Sequence, residues 1–223
     1  ALDVIKNYNS KIPTKLMYDY FYLGADFAFC AKVHGEVRDT LSGVFSGLPV
    51  YLIVGTIEPR KNHSYVIDAF ENLWNQGSRI RLCIVGRVGW MCDDIVKRIN
   101  ASTYLSERLF WFSDLNDDEL EYCYEHGKAL VMASRFEGFG LPLVEAMHYG
   151  KPVFASDIPV FREIGEDYPI YFDLADSNSL ANKIHEYENN VLDQEFNPRN
   201  WLSWDESIED LFAKVIAIAQ NEN

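Results

Sequence analysis

The chain of 223 residues contains no apolar run that approaches the roughly 20 residues of a membrane-spanning helix. Residues 1–10 are polar and lack the apolar core of a secretory signal peptide. Basic residues are scarce: the chain has 20 Lys and Arg residues and 34 Asp and Glu residues, which gives a net charge of −14. A basic field for a nucleic-acid backbone is therefore missing, although a single nucleotide needs only a local positive site. We expect a cytoplasmic protein that binds no nucleic acid.

Cysteine and the common motifs of metal sites are also rare. The four cysteines form no C-x-x-C pair and no Cys/His cluster, which argues against a zinc site. No D-x-D pair occurs, so the commonest carboxylate clamp for a metal on a sugar nucleotide is absent. Walker A, G-x-G-x-x-G, H-E-x-x-H and G-x-S-x-G sequences are missing too. The five histidines lack ligand spacing, and we expect most of them at the surface or at helix caps.

The most informative stretch is ALVMASRFEGFGLPLVEAMHYG, residues 129–150. Its apolar start is typical of a buried strand, and a loop with Gly138 and Gly140 leads into a helical apolar pattern. Pro142 suits the first turn of that helix, and Gly150 suits the residue after its end. A loop of this kind presents backbone N–H groups at the positive end of a helix, which is a natural seat for phosphate.

Two carboxylates accompany this predicted phosphate seat. Glu137 stands at the mouth of the loop, and Glu145 follows eight residues later in the second turn of the helix. Glu145 can accept hydrogen bonds from the two vicinal hydroxyls of a ribose, and Glu137 can face the group that the phosphate carries. The same pattern also fits an ordinary glycine-rich turn, with one acidic residue near the helix dipole and one on a solvated face. Spacing alone leaves both interpretations open.

A second strand and loop begin at residue 49. PVYLIVGT predicts a strand, and EPRKN predicts the loop that follows it. Arg60 and Lys61 thus stand at the carboxyl edge of a strand, where α/β folds bind ligands and where two cations can neutralise a diphosphate. A solvated turn is the alternative interpretation. Asn62 is the predicted cap of the next helix.

Strands alternate with helices along most of the chain. This alternation predicts an α/β fold, a Rossmann-like parallel sheet with helices on both faces. We divide the chain into an N-terminal segment or linker at 1–47, a Rossmann-like domain at 48–200 and a C-terminal helix at 201–223. Ser203 and Glu206 predict a capping box at the start of that helix, whose apolar residues lie on one face.

Other local signals concern caps and one aromatic segment. Asn116 and Glu119 predict a second capping box, directly after a strand-to-helix loop. Asp176 or Ser177 is the predicted cap of the helix that follows the last strand. Residues 16–29, rich in Tyr and Phe, predict either a strand around FYLGADF or an aromatic core segment.

Several of these segments resemble one family. EGFGLPLVEA resembles the two glutamates, separated by seven residues, of retaining glycosyltransferases of the family 4 (group 1) type, which have the GT-B fold. GTIEPRKN at 55–62, IVGR at 84–87 and GKPVFASDIPVFREIG at 150–165 fall in that family's order. The resemblance covers the C-terminal, donor-binding half of a GT-B enzyme. It implies that the acceptor-binding N-terminal domain is missing from this chain.

The resemblance implies a role for each residue that matches a family motif. Arg60 and Lys61 are expected at the diphosphate and Glu137 at the donor sugar, and the three form the candidate catalytic group. Glu145 is expected to hold the ribose. Many members carry an arginine directly after the strand glycine, whereas this chain has Thr56 there, so Arg60 is the candidate for the second charge. The remaining expected donor-binding residues are Gly55, Leu115 (in the loop that reads the nucleobase), Gly138, Phe139, Gly140 and Leu141.

The implied function is that of a retaining glycosyltransferase domain that binds a nucleotide-diphosphate sugar without a metal ion. Similarity of GTIEPRKNH and GFGLPLVEAM to bacterial polysaccharide mannosyltransferases makes GDP-mannose the candidate donor. The acceptor is expected to be a saccharide or a lipid-linked saccharide, bound through the missing domain. The full enzyme is then expected in the cytoplasm, in peripheral association with the inner face of the membrane. The alternative is a non-catalytic nucleotide-sugar-binding module or subunit, and an NAD-dependent enzyme is disfavoured.

Overall fold

The computed structural model describes residues 19–25, 36–191 and 194–220. The chain divides into two compact units. The larger unit is formed by residues 30–200, and the smaller unit joins residues 1–29 to residues 201–223.

A parallel sheet forms the centre of the larger unit. The described part of the chain contributes six strands to it, in the order β3-β2-β1-β4-β5-β6, and every neighbouring pair is parallel. This arrangement confirms the predicted Rossmann-like α/β class. The strands are β1 (Val50–Val54), β2 (Arg81–Val85), β3 (Leu109–Phe112), β4 (Ala129–Met132), β5 (Val153–Ser156) and β6 (Ile170–Phe172).

Helices connect the strands and cover the sheet. The apolar side of the second helix packs into the core through Val66, Ile67, Phe70, Leu73 and Trp74, each at most 4 % exposed. Those are the residues that the sequence pattern predicts for its buried face. The helices of the larger unit are α1 (Asp39–Val44), α2 (His63–Asn75), α3 (Asp93–Ala101), α4 (Asp117–His126), α5 (Leu141–His148), α6 (Pro159–Gly165) and α7 (Ser179–Glu188).

The central strands explain where a ligand can bind. β1 and β4 are fully apolar and almost fully buried, as strands of a sheet covered on both faces must be. They pair at Tyr51 with Ala129 and at Leu52 with Leu130, although β2 and β3 lie between them in sequence. The order of the strands reverses at this pair. Crevices at the carboxyl ends of such a pair are the usual ligand sites of open α/β sheets.

Two of the predicted helix caps differ from the structure. Asn62 precedes α2 as predicted, but it has a left-handed backbone (φ 58°) and its side chain makes no capping bond to that helix. Asn62 also ends the short 3₁₀ turn Pro59–Lys61, and asparagine adopts this left-handed conformation more readily than most residues. α7 begins after Asn178, because Asp176 instead closes the preceding turn by accepting a hydrogen bond of 2.9 Å from the Asn178 N–H. The capping box of Asn116 and Glu119 on α4 is confirmed.

The smaller unit is built on the helix α8 (Trp204–Gln220). Ser203 and Glu206 form the predicted reciprocal cap, with a bond of 2.7 Å from the Ser203 N–H to Glu206 Oε2 and one of 3.1 Å from the Glu206 N–H to Ser203 Oγ. Residues 19–25 run beside the helix without forming a strand, so the predicted strand is wrong in that part, and the rest of FYLGADF lies outside the described residues. Gly24 allows this close approach, since a Cβ there would lie 2.4 Å from the Trp204 Cα.

One side of α8 is apolar and exposed. Ile208, Phe212, Val215 and Ile216 are 45–63 % exposed. Among the helices of the described ranges, none combines the length and apolar character that crossing a bilayer requires.

Candidate functional site

The loops after β1 and β4 meet at the carboxyl edge of the sheet. Gly55 follows β1 with a φ of 127°, and a Cβ there would lie 3.4 Å from Lys61 Nζ. Gly86 follows β2 and packs so closely that a Cβ would lie 2.0 Å from the carbonyl oxygen of Gly55. The backbone of Arg135 in the β4 loop donates a hydrogen bond of 2.8 Å to the carbonyl of Arg60. Glycines and backbone contacts therefore place the two loops side by side.

The predicted catalytic residues contact one another directly. Glu137 forms an ion pair with the Lys61 ammonium at 2.6 Å and accepts a hydrogen bond of 2.8 Å from Ser134 Oγ. The Arg60 guanidinium also donates a hydrogen bond to Glu137. Arg60 also donates to Glu58 at 2.8 Å. The side chains of Glu137 and Lys61 are only 6 % and 11 % exposed. These residues form an ion cluster in which each cation already has a carboxylate partner.

The ion cluster keeps Glu137 ionised. Burial alone would raise the pKa of Glu137, but the hydrogen bond and charge of Lys61, the Ser134 hydroxyl and the charge of Arg60 outweigh it and lower the pKa below its ordinary value. Glu137 is therefore a carboxylate at neutral pH, suited to accept hydrogen bonds from sugar hydroxyls. Because its oxygens are already shared by two cations and a hydroxyl, it is poorly placed to attack a carbon atom.

The glycine loop leads into α5 as the sequence predicts. Gly140 occupies the position before the helix with a φ of 99°, and a Cβ there would lie 3.0 Å from the ring of Phe161. A Cβ on Gly138 would meet no atom within 4 Å, so open space faces this residue. Leu141 starts the helix and is 38 % exposed. The predicted loop of residues 138–141 thus lies at the amino end of α5, with Gly138 and Leu141 exposed and Gly140 buried.

Glu145 lies on α5, close to the ion cluster. Tyr124 on α4 donates a hydrogen bond of 2.5 Å to Glu145 Oε2. Burial raises the pKa of Glu145, and the Tyr124 hydrogen bond and the charge of Lys61 oppose that increase. No sequence motif singles out Tyr124, because a tyrosine in an amphipathic helix ordinarily belongs to the core.

The predicted base-reading loop lies farther along the same edge of the sheet. Leu115 is half-buried in the loop after β3. Arg38 holds this loop, with hydrogen bonds of 3.1 and 3.2 Å to the carboxylate of Asp114 and of 2.6 and 2.8 Å to Glu119. The interactions of Lys61 with Gly55, Glu137 and Glu145 gather these predicted residues at one place, whereas Leu115 lies in the loop that Arg38 holds.

His63 departs from the expectation for the histidines. It is 2 % exposed at the start of α2, and neither ring nitrogen has a hydrogen-bond partner in the described part of the chain. Burial, reinforced by the charge of Lys61, lowers the pKa of His63 to about 4. A neutral imidazole beside the two cations adds no further positive charge to the cluster.

Solved glycosyltransferase structures share this fold. One from Rickettsia africae ESF-5 matches 79 % of this chain and 49 % of its own, with a TM-score of 0.64 and 19 % identity. Anabaena Alr3699/HepE, solved in complex with UDP and glucose, matches 68 % of this chain and 43 % of its own, with a TM-score of 0.56 and 22 % identity. This likeness in fold confirms the prediction of one Rossmann-like half of a GT-B fold.

Sequence relatives carry more specific names. The serotype-specific mannosyltransferase WbdA of Escherichia coli is 37 % identical over 205 residues, which cover 89 % of this chain but 25 % of WbdA. The O-antigen chain mannosyltransferase RfbU of Salmonella typhimurium is 30 % identical over 139 residues, which cover 62 % of this chain and 38 % of RfbU. This chain spans about a quarter of the length of the WbdA relatives that it matches.

The match to a protein family covers the site itself. The model of the family described as glycosyl transferases group 1 matches residues 42–199, a range that includes all of the predicted site residues. The motifs that resembled this family lie in the same range. The chain therefore belongs to the group 1 glycosyl transferases.

Proposed function

We propose that this chain binds a nucleotide-diphosphate sugar as the donor half of a retaining glycosyltransferase. The observation that carries the proposal is the convergence of Arg60, Lys61 and Glu137 at the carboxyl ends of β1 and β4. Two cations at this edge can neutralise the charge of a diphosphate, and a buried ionised carboxylate beside them can accept hydrogen bonds from the hydroxyls of a sugar. Membership of the family and the shared fold support this interpretation.

The proposed chemistry depends on charge compensation. As the bond from the sugar to the diphosphate breaks, negative charge grows on the leaving phosphate, and Arg60, Lys61 and the N–H groups of the 138–141 loop stabilise it. Glu137 accepts hydrogen bonds from the donor sugar and orients it. Two protein cations perform the role that a metal ion fills in many sugar-nucleotide enzymes, so the proposal includes no metal. A nucleophilic role for Glu137 is not part of the proposal, because paired carboxylates act that way only when both face the anomeric carbon.

The proposed donor is GDP-mannose, and the proposed pathway is the synthesis of a bacterial surface polysaccharide. The names of WbdA and RfbU as mannosyltransferases support both choices. The acceptor is a saccharide or lipid-linked saccharide, which a second domain of the full enzyme would bind. Because a lipid-linked acceptor is held in a membrane, we propose that the full enzyme acts at the cytoplasmic face of the inner membrane.

Calorimetric titration tests the donor site. Wild-type protein is titrated with guanosine, GDP and GDP-mannose, with UDP as the control for the base. Lys61→Ala should weaken GDP binding by about 1.5–3 kcal/mol and guanosine binding much less, because the charged contact to phosphate is lost. Arg98→Ala, which removes a cation paired with Asp68 and Glu71 away from the ion cluster, is the matched control and should bind GDP normally. Equal losses for guanosine and GDP in Lys61→Ala would show that the cation is not at the phosphates.

A further inference from the structure

Buried Tyr124 and half-buried Glu145 form a hydrogen-bonded pair close to Lys61 of the ion cluster. Tyr124 is 2 % exposed, and its hydroxyl lies 2.5 Å from Glu145 Oε2. Its ring stacks on that of Tyr149, just after α5, with the centroids 5.5 Å apart and the planes at 3°. This packing fixes the ring, so the hydroxyl is aimed at Glu145 before any ligand arrives.

The hydrogen bond engages one side of the carboxylate. Oε2 of Glu145 takes the Tyr124 hydroxyl, while Oε1 receives no hydrogen bond from the described residues. A carboxylate has lone pairs for about four hydrogen bonds, so acceptor capacity remains. The two oxygens of Glu145 are therefore unequal, because Oε2 is bonded to Tyr124 and Oε1 is not.

We propose that Tyr124 is a positioning residue for nucleotide binding. Its hydroxyl holds Glu145 in one orientation with Oε1 open to the ribose hydroxyls. The inference rests on the proposed function, in which Glu145 holds the ribose. A buried tyrosine is better suited than a lysine to hold Glu145 in place, because it orients the carboxylate without neutralising its charge.

The electrostatics of the pair make the inference testable by pH. The titratable groups that act on Glu145 are Tyr124, Tyr149 and Lys61. Ribose hydroxyls donate to the ionised carboxylate, so nucleotide affinity should fall as pH drops through the pKa of Glu145. Burial raises that pKa and Tyr124 opposes the rise, so Tyr124→Phe should move the loss of affinity to higher pH.

The chain contains a matched control for this substitution. Tyr51 on β1 is 0 % exposed and donates a hydrogen bond, also of 2.5 Å, to Glu188 at the end of α7. Glu188 is paired with Lys128 at 2.8 Å and takes no part in the proposed site. Tyr51→Phe therefore removes an equivalent buried bond, with an equivalent effect on folding, without touching Glu145.

The experiment measures the affinity for GDP and for 2′,3′-dideoxy-GDP over a pH series in Tyr124→Phe, Tyr51→Phe, Glu145→Gln and the double variant Tyr124→Phe/Glu145→Gln. We expect Tyr124→Phe to weaken GDP binding roughly tenfold, since one charge-assisted bond to the carboxylate is lost. Its pH profile should shift upward, and the dideoxy compound should be affected far less. The double variant should bind no worse than Glu145→Gln alone, because the two residues act as a unit.

Three results would overturn the inference, and they distinguish a failure of the role of Tyr124 from a failure of the ribose assignment. If Glu145→Gln weakens GDP binding while Tyr124→Phe matches Tyr51→Phe in affinity and pH profile, Tyr124 has only a structural role. Additive losses in the double variant would lead to the same conclusion. If Glu145→Gln itself leaves GDP binding unchanged, the ribose assignment within the proposed function is wrong, and the inference is overturned with it. Unfolding midpoints of all four variants, measured in urea, show that each protein compared is folded.

Discussion

Lys61 Nζ lies 2.6 Å from Glu137 Oε1, and this contact joins the turn after β1 to the loop after β4. Before a donor binds, the cation proposed to hold the diphosphate is thus paired with the carboxylate proposed to hold the sugar. A diphosphate must share Lys61 and Arg60 with Glu137 when it enters. If the proposed donor site is right, we expect Glu137 to lower the affinity for the bare diphosphate and to raise the affinity for the sugar conjugate.

Glu137→Gln should consequently favour GDP over GDP-mannose. Without the competing charge, GDP should bind more tightly by about 1 kcal/mol, a factor of roughly five. GDP-mannose should gain less or lose affinity, because the amide accepts sugar hydroxyls less well than a carboxylate. Titration calorimetry of both ligands provides the comparison. Weaker binding of GDP by this variant would contradict the proposed competition.

Gly138→Ala tests whether the donor approaches the glycine loop. Its added methyl group meets no protein atom within 4 Å, so the unfolding midpoint should not change. A diphosphate lying on the loop backbone would meet this methyl group, and GDP affinity should fall at least about tenfold. Gly140→Ala provides the contrast, because it combines a φ of 99° with a contact of 3.0 Å to Phe161 and should destabilise the fold. Normal GDP binding by Gly138→Ala would place the ligand elsewhere.

Gly86→Ala should destabilise the packing of the loop after β2 against the loop after β1. The new Cβ would lie 2.0 Å from the Gly55 carbonyl oxygen, and the two loops would have to separate at a cost of about 1–3 kcal/mol. Gly43→Ala is the matched control, since it lies within α1 with no atom within 4 Å of the new Cβ and should stabilise by up to about 1 kcal/mol. Urea unfolding measures both. An unchanged midpoint for Gly86→Ala would show that the approach of Gly86 to Gly55 is looser than the structure describes.

His63 should make stability depend on pH in a defined window. Its pKa is about 4 in the folded chain against 6.5 for an ordinary histidine. As pH falls from 6.5 toward 4, the unfolded chain takes up a proton that the folded chain does not, so the free energy of unfolding decreases, by at most about 3 kcal/mol. His63→Leu should lose this part of the pH dependence, and the exposed His185→Gln should retain it. If the free energy of unfolding depends on pH in the same way for His63→Leu and the wild type, the proposed contribution of His63 is wrong.

The fold was predictable because its signals are local. The apolar runs at β1 and β4, the capping boxes at Asn116 and Ser203, and the glycine loop before α5 each depend on a few neighbouring residues. Asn62 was misassigned as a side-chain cap because it also ends the 3₁₀ turn, in a left-handed conformation that asparagine adopts more readily than most residues.

The sequence motifs single out Arg60, Lys61, Glu137 and Glu145 as candidates, and the structure adds how these side chains are paired. Neither the closure of the cations onto Glu137 nor the hydrogen bond from Tyr124 could be predicted, because both join segments that are distant in sequence. Those contacts follow from which strands become neighbours, and local patterns do not contain that information.

The pairing of β1 with β4 has a consequence for how the chain folds. β1 to β3 and β4 to β6 can each assemble from consecutive strand–helix–strand units, but joining Tyr51 to Ala129 closes a long loop, which is entropically costly and slow. Lys61 belongs to one half of the sheet and Glu137 to the other, so the ion cluster exists only once the halves have docked. During refolding, the capacity to bind a nucleotide should appear after most of the helical signal has returned.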